Sequence, residues 1–520
     1  MNLWSILERA ARSHPRKLAA SEGEEHLTYA ELRERCLRLA AGLRAAGVAR
    51  ADRLAVLEPN SLAYLELYWA AAALGAILVP LNTRLGPREL SGILRHSGAR
   101  ALVAHGSFAG VLGDVIESGA AVDLLIWTRE RPATFARAGL DLADLLQHPA
   151  GEFRAEELAE SEIAQLYYTS GTTGEPKGVM LTHGNVTWHA LGARAEFKLA
   201  DSDVWIHVAP MFHLADAWAS FAIAWAGGTQ VFSPRFDEAA VLDAFARHGV
   251  TLTNLVPTML LRLIDFDGAA AREYPSLRMI LSGGAPIAPA VVRRIIETFR
   301  CEYVQTYGMT ETSPFLTLSL LKSHLLLAAP QVQFAYRAKT GRAFATVELE
   351  VIGEDGQPVA PDGVAVGEIR ARGHTVTPGY WNDPAASARA FAEGWLCTGD
   401  LATIDSEGYL QIVDRKKDMI ISGGEKIYST EVESVLYAHG AVAECAVYGV
   451  ADPLWGERVE AAVVVRAGAP ADADALLLHA RQHLAGFKVP RRIRFVAELP
   501  KTGTGKISKR ELRDRSALGQ

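Results

Sequence analysis

Residues 167–185 read YYTSGTTGEPKGVMLTHGN. Within positions 169–178 fall four hydroxyl side chains, three glycines and one lysine. The short apolar and aromatic run before them, Ile163–Tyr168, has strand character, and the apolar spacing from Asn185 onward is helical. A loop between two elements is therefore expected for the polar run. Thr169, Ser170, Thr172 and Thr173 offer hydroxyl donors, Gly171, Gly174 and Gly178 admit close backbone N–H groups, and Lys177 adds a full positive charge. That inventory suits phosphate. It is not a Walker A loop, because Gly171 is followed by Thr-Thr-Gly-Glu-Pro-Lys and the spacing to Lys fails. An ordinary surface loop has the same composition, so other segments must decide.

The chain has 520 residues, 49% hydrophobic and 22% charged, which is ordinary for a globular protein of two or more domains. A net charge of −7 without long single-sign blocks leaves no footprint for nucleic acid or an anionic membrane. Cys36, Cys301, Cys397 and Cys445 are far apart and lack metal-ligand spacing, so free thiols in a reducing, cytoplasmic setting are expected. The most apolar run, LYWAAAALGAILV at 67–79, lies between Glu66 and Pro80 and is too short to span a bilayer. It reads as a buried helix running into a strand, and no integral membrane segment is expected. The N-terminal MNLWSILERAARSHPRK has helical spacing with interspersed charges, unlike a signal peptide.

Runs such as DRLAVLEPN, GAILVPLN, ARALVAHG and AVDLLIW alternate with helical stretches, the pattern of an α/β protein with largely parallel strands. The alternation recurs after residue 200 with VWIHVAP, TQVFS, TLTNLVP and LRMILSGG. From about Gly341 the segments become β-rich, which predicts an antiparallel subdomain. A boundary falls in VDRKKDMIISGGEKIY, 413–428, and the hundred or so residues beyond it suffice for a small domain.

Three further segments carry chemistry. QTYGMTETSP, 305–314, offers Tyr307 as a flat face for a base, Thr310 as a hydroxyl and Glu311 as a hard oxygen ligand for Mg²⁺. Asp400 and Arg415, each at the end of a β-like run, could bind ribose hydroxyls and sugar or phosphate oxygens. PMFHLADAW, 210–218, contributes His213 and Trp218; a carboxylic acid substrate is already ionised near neutral pH, so His213 suits a gate or positioning role better than a general base. Lys506 in TGTGK is a single charge among small residues.

The order TSGTTGEPKGV, PMFH, SGGAP, TYGMTE, RGHTVTPGYW, TGD, DRKKDMIISGGE, TGTGKIS resembles the adenylate-forming superfamily of acyl-CoA synthetases, nonribosomal-peptide adenylation domains and luciferases, over essentially the whole chain. The resemblance implies an α/β fold: a large N-terminal domain, 1–416, of two α/β sheet subdomains plus a β-barrel-like one, a hinge at Lys417, and a small mobile α+β domain, 417–520. It implies that a carboxylate attacks MgATP to give acyl-AMP and pyrophosphate, and that coenzyme A then displaces AMP. ATP, Mg²⁺ and coenzyme A are the implied cosubstrates and cofactor.

By the same resemblance, Lys506 bridges the carboxylate and the α-phosphate, Glu311 and Thr172 hold the metal, and Thr310 contacts phosphate. Residues 169–174 and Lys177 cradle the β- and γ-phosphates. Gly283, Gly284, Ala285, Gln305, Tyr307 and Gly308 surround the adenine, Asp400 and Arg415 hold the ribose, and His213 is the gate. Gly423, Gly424 and Glu425 line a pantetheine tunnel, and Trp218, Val256, Pro257 and Met309 wall the acyl pocket.

The family commonly shows GGENIYP where this chain has Lys426 and Ser429, so its tunnel-side loop differs in charge. Mostly small or apolar pocket residues favour a medium- or long-chain aliphatic acid, with an aryl acid second. Asp216 lies where an amino-acid-activating enzyme would need a carboxylate for the substrate ammonium. A ligase that loads a carrier protein is the closer alternative, although the inserted segment typical of such enzymes is absent between Thr398 and Asp418. A luciferase-like oxygenase would be revealed by light emission. A monomer and a homodimer are both compatible with the sequence.

Overall fold

The computed structural model describes residues 1–119, 122–129, 135, 139–151, 153–169, 176–501 and 507–517. Strands and helices alternate along the first 350 residues as the apolar periodicity predicts, and they form two large sheets. In the first, Leu140–Asp141, Leu124–Trp127, Ala99–Ala104, Arg53–Leu57, Ile77–Pro80 and Ile163–Thr169 run parallel, and Lys177–Thr182 closes the edge antiparallel. In the second, six strands from Glu302–Gly308 to Leu18–Glu22 run parallel, flanked by antiparallel strands at both edges.

Parallel strands are covered on both faces, which is why they read as continuous apolar runs. The helix Leu62–Leu74 is buried almost all round, as its run of alanines and aromatics predicts. It stops at Gly75, whose φ of 72° suits glycine, and the strand Ile77–Pro80 follows at once. Its one acidic residue, Glu66, is buried and paired with Arg35.

A third sheet of five strands contains Val347–Ile352, Gly367–Gly373, Trp395–Ile404, Phe391–Ala392 and Leu410–Arg415. A fourth has the long antiparallel hairpin Val442–Asp452 and Gly456–Val465 at its centre, with Arg492–Phe495 added parallel. The chain divides into two compact units: Met1–Leu349 with Ala371–Leu396, and Glu350–Arg370 with Cys397–Gln520. Each has its own buried apolar cores. Cys36, Cys301 and Cys445 are buried free thiols, and Cys397 is half-buried. No helix among the described residues is long and apolar enough to cross a membrane.

Candidate functional site

In the first unit, the polar stretch of the phosphate-type loop is shorter than the sequence reading allowed. Strands Ile163–Thr169 and Lys177–Thr182 pair antiparallel, with Thr169 opposite Lys177 and Tyr168 opposite Gly178. Lys177 and Gly178 thus belong to a hairpin ladder, and the helix begins at His183, capped by Thr182 and Asn185 reciprocally. The apolar VML that follows Gly178 suits a strand, and this outweighs the loop character of Pro176 and the glycines. Gly178 also has a packing role rather than a ligand-facing one. A Cβ there would lie 3.1 Å from the Tyr168 ring and 3.3 Å from Trp381 Cβ.

The segment 374–381 lies along this second strand. Trp381 N–H donates to Gly178 O (2.7 Å), Met180 N–H to Gly379 O (3.1 Å), and Asn185 Nδ2 to the carbonyls of His374 and Val376. This places Tyr380 between two residues expected to act on ATP. Its hydroxyl donates to Glu311 Oε1 at 2.8 Å, and Lys177 Nζ rests 5.0 Å from the centre of its ring. Burial, and secondly the Glu311 carboxylate, push the Tyr380 phenol up, so it stays protonated and donating. A cavity of about 220 Å³ beside it is lined by His96, Tyr168, Lys177, Tyr380, Trp381 and Asp383, among others.

Glu311 is buried in the short 3-10 turn Thr310–Thr312, just past strand Glu302–Gly308. Its carbonyl accepts from Thr377 N–H at 2.8 Å. Glycine is required at 308, where a Cβ would fall 1.8 Å from Pro314 O. Strand Met279–Gly283 runs parallel beside strand Glu302–Gly308, so Gly283–Ala285 and Gln305–Gly308 emerge together at the carboxyl ends of neighbouring strands. Ligands of open α/β sheets bind at such ends. Gln305 Nε2 donates to Ala285 O (2.8 Å), and Gly283 packs against Thr306, leaving Gly284 and Ala285 exposed and Tyr307 and Thr310 half-buried.

His213 caps the helix Leu214–Ala226, its Nδ1 accepting from Ala215 N–H at 3.1 Å. The preceding loop is held by buried Asn60, which donates to His207 O and Ala209 O and accepts from Met211 N–H. Asp216, in the first turn of that helix, is wholly buried. It meets His207 Nδ1 at 2.5 Å, while His207 Nε2 lies 3.0 Å from Gln230 Oε1. Burial raises the Asp216 pKa and His207 opposes the rise. This carboxylate therefore serves His207, and the ammonium-pairing role weighed for it has no support here. Trp218 is enclosed by Trp205, His189, Phe197 and Phe315, and its indole N–H donates to Ala215 O. Val256, Pro257 and Met309 are half-buried.

In the second unit, Asp400 and Arg415 face each other across antiparallel strands, Arg415 Nε lying 3.4 Å from Asp400 Oδ1. Glu368 accepts from Gly399 N–H and from Lys416 Nζ. Lys417 is exposed, but the charged run around it is less solvated than its composition suggests, because Asp414 and Asp418 are buried. Asp418 pairs with Arg513 at 2.8 Å. Asp414 accepts from the backbone N–H and the hydroxyl of Ser429, and Lys509 Nζ donates to that hydroxyl (2.6 Å) and to Glu433 (2.7 Å). Burial raises the pKa of both carboxylates, and Lys509 opposes it in each. Gly423 and Gly424, with φ of 60° and 86°, form the turn before Glu425, and Trp455 covers Gly423. Lys426 pairs with Glu354.

Ser170, Gly171, Thr172, Thr173, Gly174 and Lys506 lie outside the described residues. Among the residues flanking 502–506, Lys501 and Ile507 form an antiparallel bridge, and Ser508 N–H donates to Pro500 O at 2.8 Å. Sequence reasoning assigned no role to Tyr380, although it stands in the quoted RGHTVTPGYW, nor to Lys509, three positions after Lys506. Glu311 fits a divalent cation as a hard oxygen donor. Among the described residues no group of three or more His, Cys, Asp or Glu could cage one.

Residues 7–381 match the family described as AMP-binding enzyme, and residues 431–506 match the AMP-binding enzyme C-terminal domain. The chain is 41% identical to a feruloyl-CoA synthase of Amycolatopsis sp over 98% of both chains. It is 36% identical to a long-chain-fatty-acid–CoA ligase of Thermus thermophilus, over 99% of this chain and 95% of the other. The o-succinylbenzoate coenzyme A synthetase of Bacillus subtilis, solved with ATP and magnesium ion, superposes with a TM-score of 0.84 at 31% identity, over 99% of each chain. With the eight motifs in order and both parts of the chain matched, the protein belongs to the AMP-binding enzyme family of adenylate-forming enzymes, on its acyl-CoA synthetase branch.

Proposed function

We propose that the protein activates a hydrophobic carboxylic acid with MgATP, releasing pyrophosphate, and passes the acyl group from acyl-AMP to coenzyme A. The observation that carries this reading is the cluster of Lys177, Tyr380 and Glu311, a cation and a metal-type carboxylate tied to one phenol beside the phosphate-type hairpin. Bringing a carboxylate to a polyphosphate sets like charges together, so the protein's task is neutralisation and alignment. Lys177 and the hydroxyl-rich segment 169–174 offset the β- and γ-phosphate charge. Glu311 and Thr172 hold Mg²⁺, which when bound screens the phosphate oxygens, and Thr310 contacts phosphate. Gly283–Ala285, Gln305, Tyr307 and Gly308 receive the adenine, and Asp400 with Arg415 the ribose.

Lys506 neutralises the meeting of carboxylate and α-phosphate in the first half-reaction. Residues 1–416 form the adenylation domain and residues 417–520 a mobile domain. In the second half-reaction, rotation at Lys417 replaces Lys506 with the turn Gly423–Glu425, which lines the path of the thiol. His213 gates the acyl side, with Trp218, Val256, Pro257 and Met309 near it.

For the acid we favour an aryl-substituted one, supported by the feruloyl-CoA synthase at 41% identity. A medium- or long-chain fatty acid is the second reading, supported by the small and apolar pocket residues and by the Thermus ligase at 36%. The test is mass spectrometry of products from purified protein, MgATP and a panel of aryl, aliphatic and amino acids, with and without coenzyme A. Acyl-CoA formed from the aryl acids is the expected result. Acyl-AMP that accumulates and ignores coenzyme A would place the thiol on a carrier protein instead.

A further inference from the structure

We propose that Tyr380 is a positioning residue for the reaction, fixing the rotation of the Glu311 carboxylate so that its second oxygen faces the divalent cation. This rests on the reading of Glu311 as the metal-holding carboxylate given above. Three segments distant in sequence converge here: the strand that starts at Lys177, the turn at Thr310–Thr312, and the segment ending at Trp381. Tyr380 is itself held on both sides. Its N–H donates to Ser387 Oγ (2.9 Å), and it bridges Val179 across the edge of the Lys177–Thr182 strand.

A carboxylate on a flexible stem loses rotational freedom when it binds a cation, and a fixed hydrogen bond to one oxygen removes that cost beforehand. The Tyr380 hydroxyl makes such a bond to Glu311 Oε1 at 2.8 Å, while Thr377 N–H fixes the Glu311 backbone from the same segment. The phenol suits this better than a charged donor, because it orients the carboxylate without neutralising the charge the cation needs. Lys177 lies on the ring face, so the cation attracted to phosphate and the carboxylate attracted to metal share one rigid spacer.

Tyr380→Phe removes the hydroxyl and keeps the ring on which Lys177 rests. The experiment measures binding of Mn²⁺ by electron paramagnetic resonance with a non-hydrolysable ATP analogue present, together with metal-free binding of the same analogue and kcat and KM for MgATP. Weakening of Mn²⁺ binding by about 10- to 100-fold, the usual effect of losing a partner behind a metal ligand, is expected, with metal-free nucleotide binding unchanged and activity partly restored by excess Mg²⁺. Unchanged Mn²⁺ affinity would overturn the proposal, as would equal losses in Mn²⁺ and metal-free nucleotide binding, which mark a general structural defect. Glu311→Gln separates the two levels: if it leaves Mn²⁺ binding intact, the reading of Glu311 itself fails. Should Glu311→Gln abolish binding while Tyr380→Phe does not, only the positioning role fails.

Discussion

Glu58 follows the strand Arg53–Leu57 and is 1% exposed, accepting from Ser61 Oγ at 2.9 Å and Thr128 Oγ1 at 2.5 Å. Burial pushes its pKa from an ordinary 4.5 to about 7, against the pull of those two hydroxyls. Because the folded value lies above the unfolded one, the protonated acid favours folding. That contribution is complete below about pH 4.5 and is lost as pH rises through about 7. At about 1.4 kcal/mol per pH unit, ionised Glu58 weakens the fold by roughly 3 kcal/mol at high pH relative to acid conditions. Glu58→Gln keeps the shape and stays neutral, and the two hydroxyls can rotate to match its amide. Urea-unfolding midpoints at pH 5 and pH 9 read the difference. The variant should exceed the parent by roughly 1 kcal/mol at pH 5, where the unfolded chain has begun to ionise, and by roughly 3 kcal/mol at pH 9. Equal differences at both pH values would refute the argument, since they would mean that Glu58 ionises no differently in the folded and unfolded chain.

Two other outcomes follow from the second unit. Lys509→Met strands Glu433, which is half-buried, and removes the donor to Ser429. It should cost about 1–3 kcal/mol in urea unfolding, the usual loss when a partly enclosed polar group is left without its partner. Lys506→Ala should abolish acyl-AMP formation and largely spare thioester formation from supplied acyl-AMP; equal loss in both half-reactions would remove Lys506 from its assigned step.

Much of the fold was legible because parallel strands buried on both faces must be apolar throughout. Runs such as ARALVAHG and LRMILSGG announce themselves without any partner in view. The helix-to-strand passage at Leu62–Pro80 was equally plain, with Gly75 as its punctuation. Lys177 and Gly178 were read as the end of the polar loop; only pairing with Thr169 and Tyr168 makes them strand. The motifs marked Glu311 and the phosphate-type stretch. Tyr380 stayed silent, since a tyrosine after Pro-Gly signals nothing until Glu311 and Lys177 are brought to it. Asp414 and Asp418 stand in a run of charges, and their burial depends on Ser429, Lys509 and Arg513, later in the chain.

The pairing of Asp216 with His207 also limits where this chain can go in evolution. A substrate bearing an ammonium group would need a carboxylate to meet it, and Asp216 stands in the turn from which one could be offered. Turning it outward would leave a buried imidazole facing an emptied position, a loss that a new salt bridge to substrate must first make good. A descendant selecting amino acids would reach that specificity more readily by gaining a second carboxylate elsewhere than by redirecting this one.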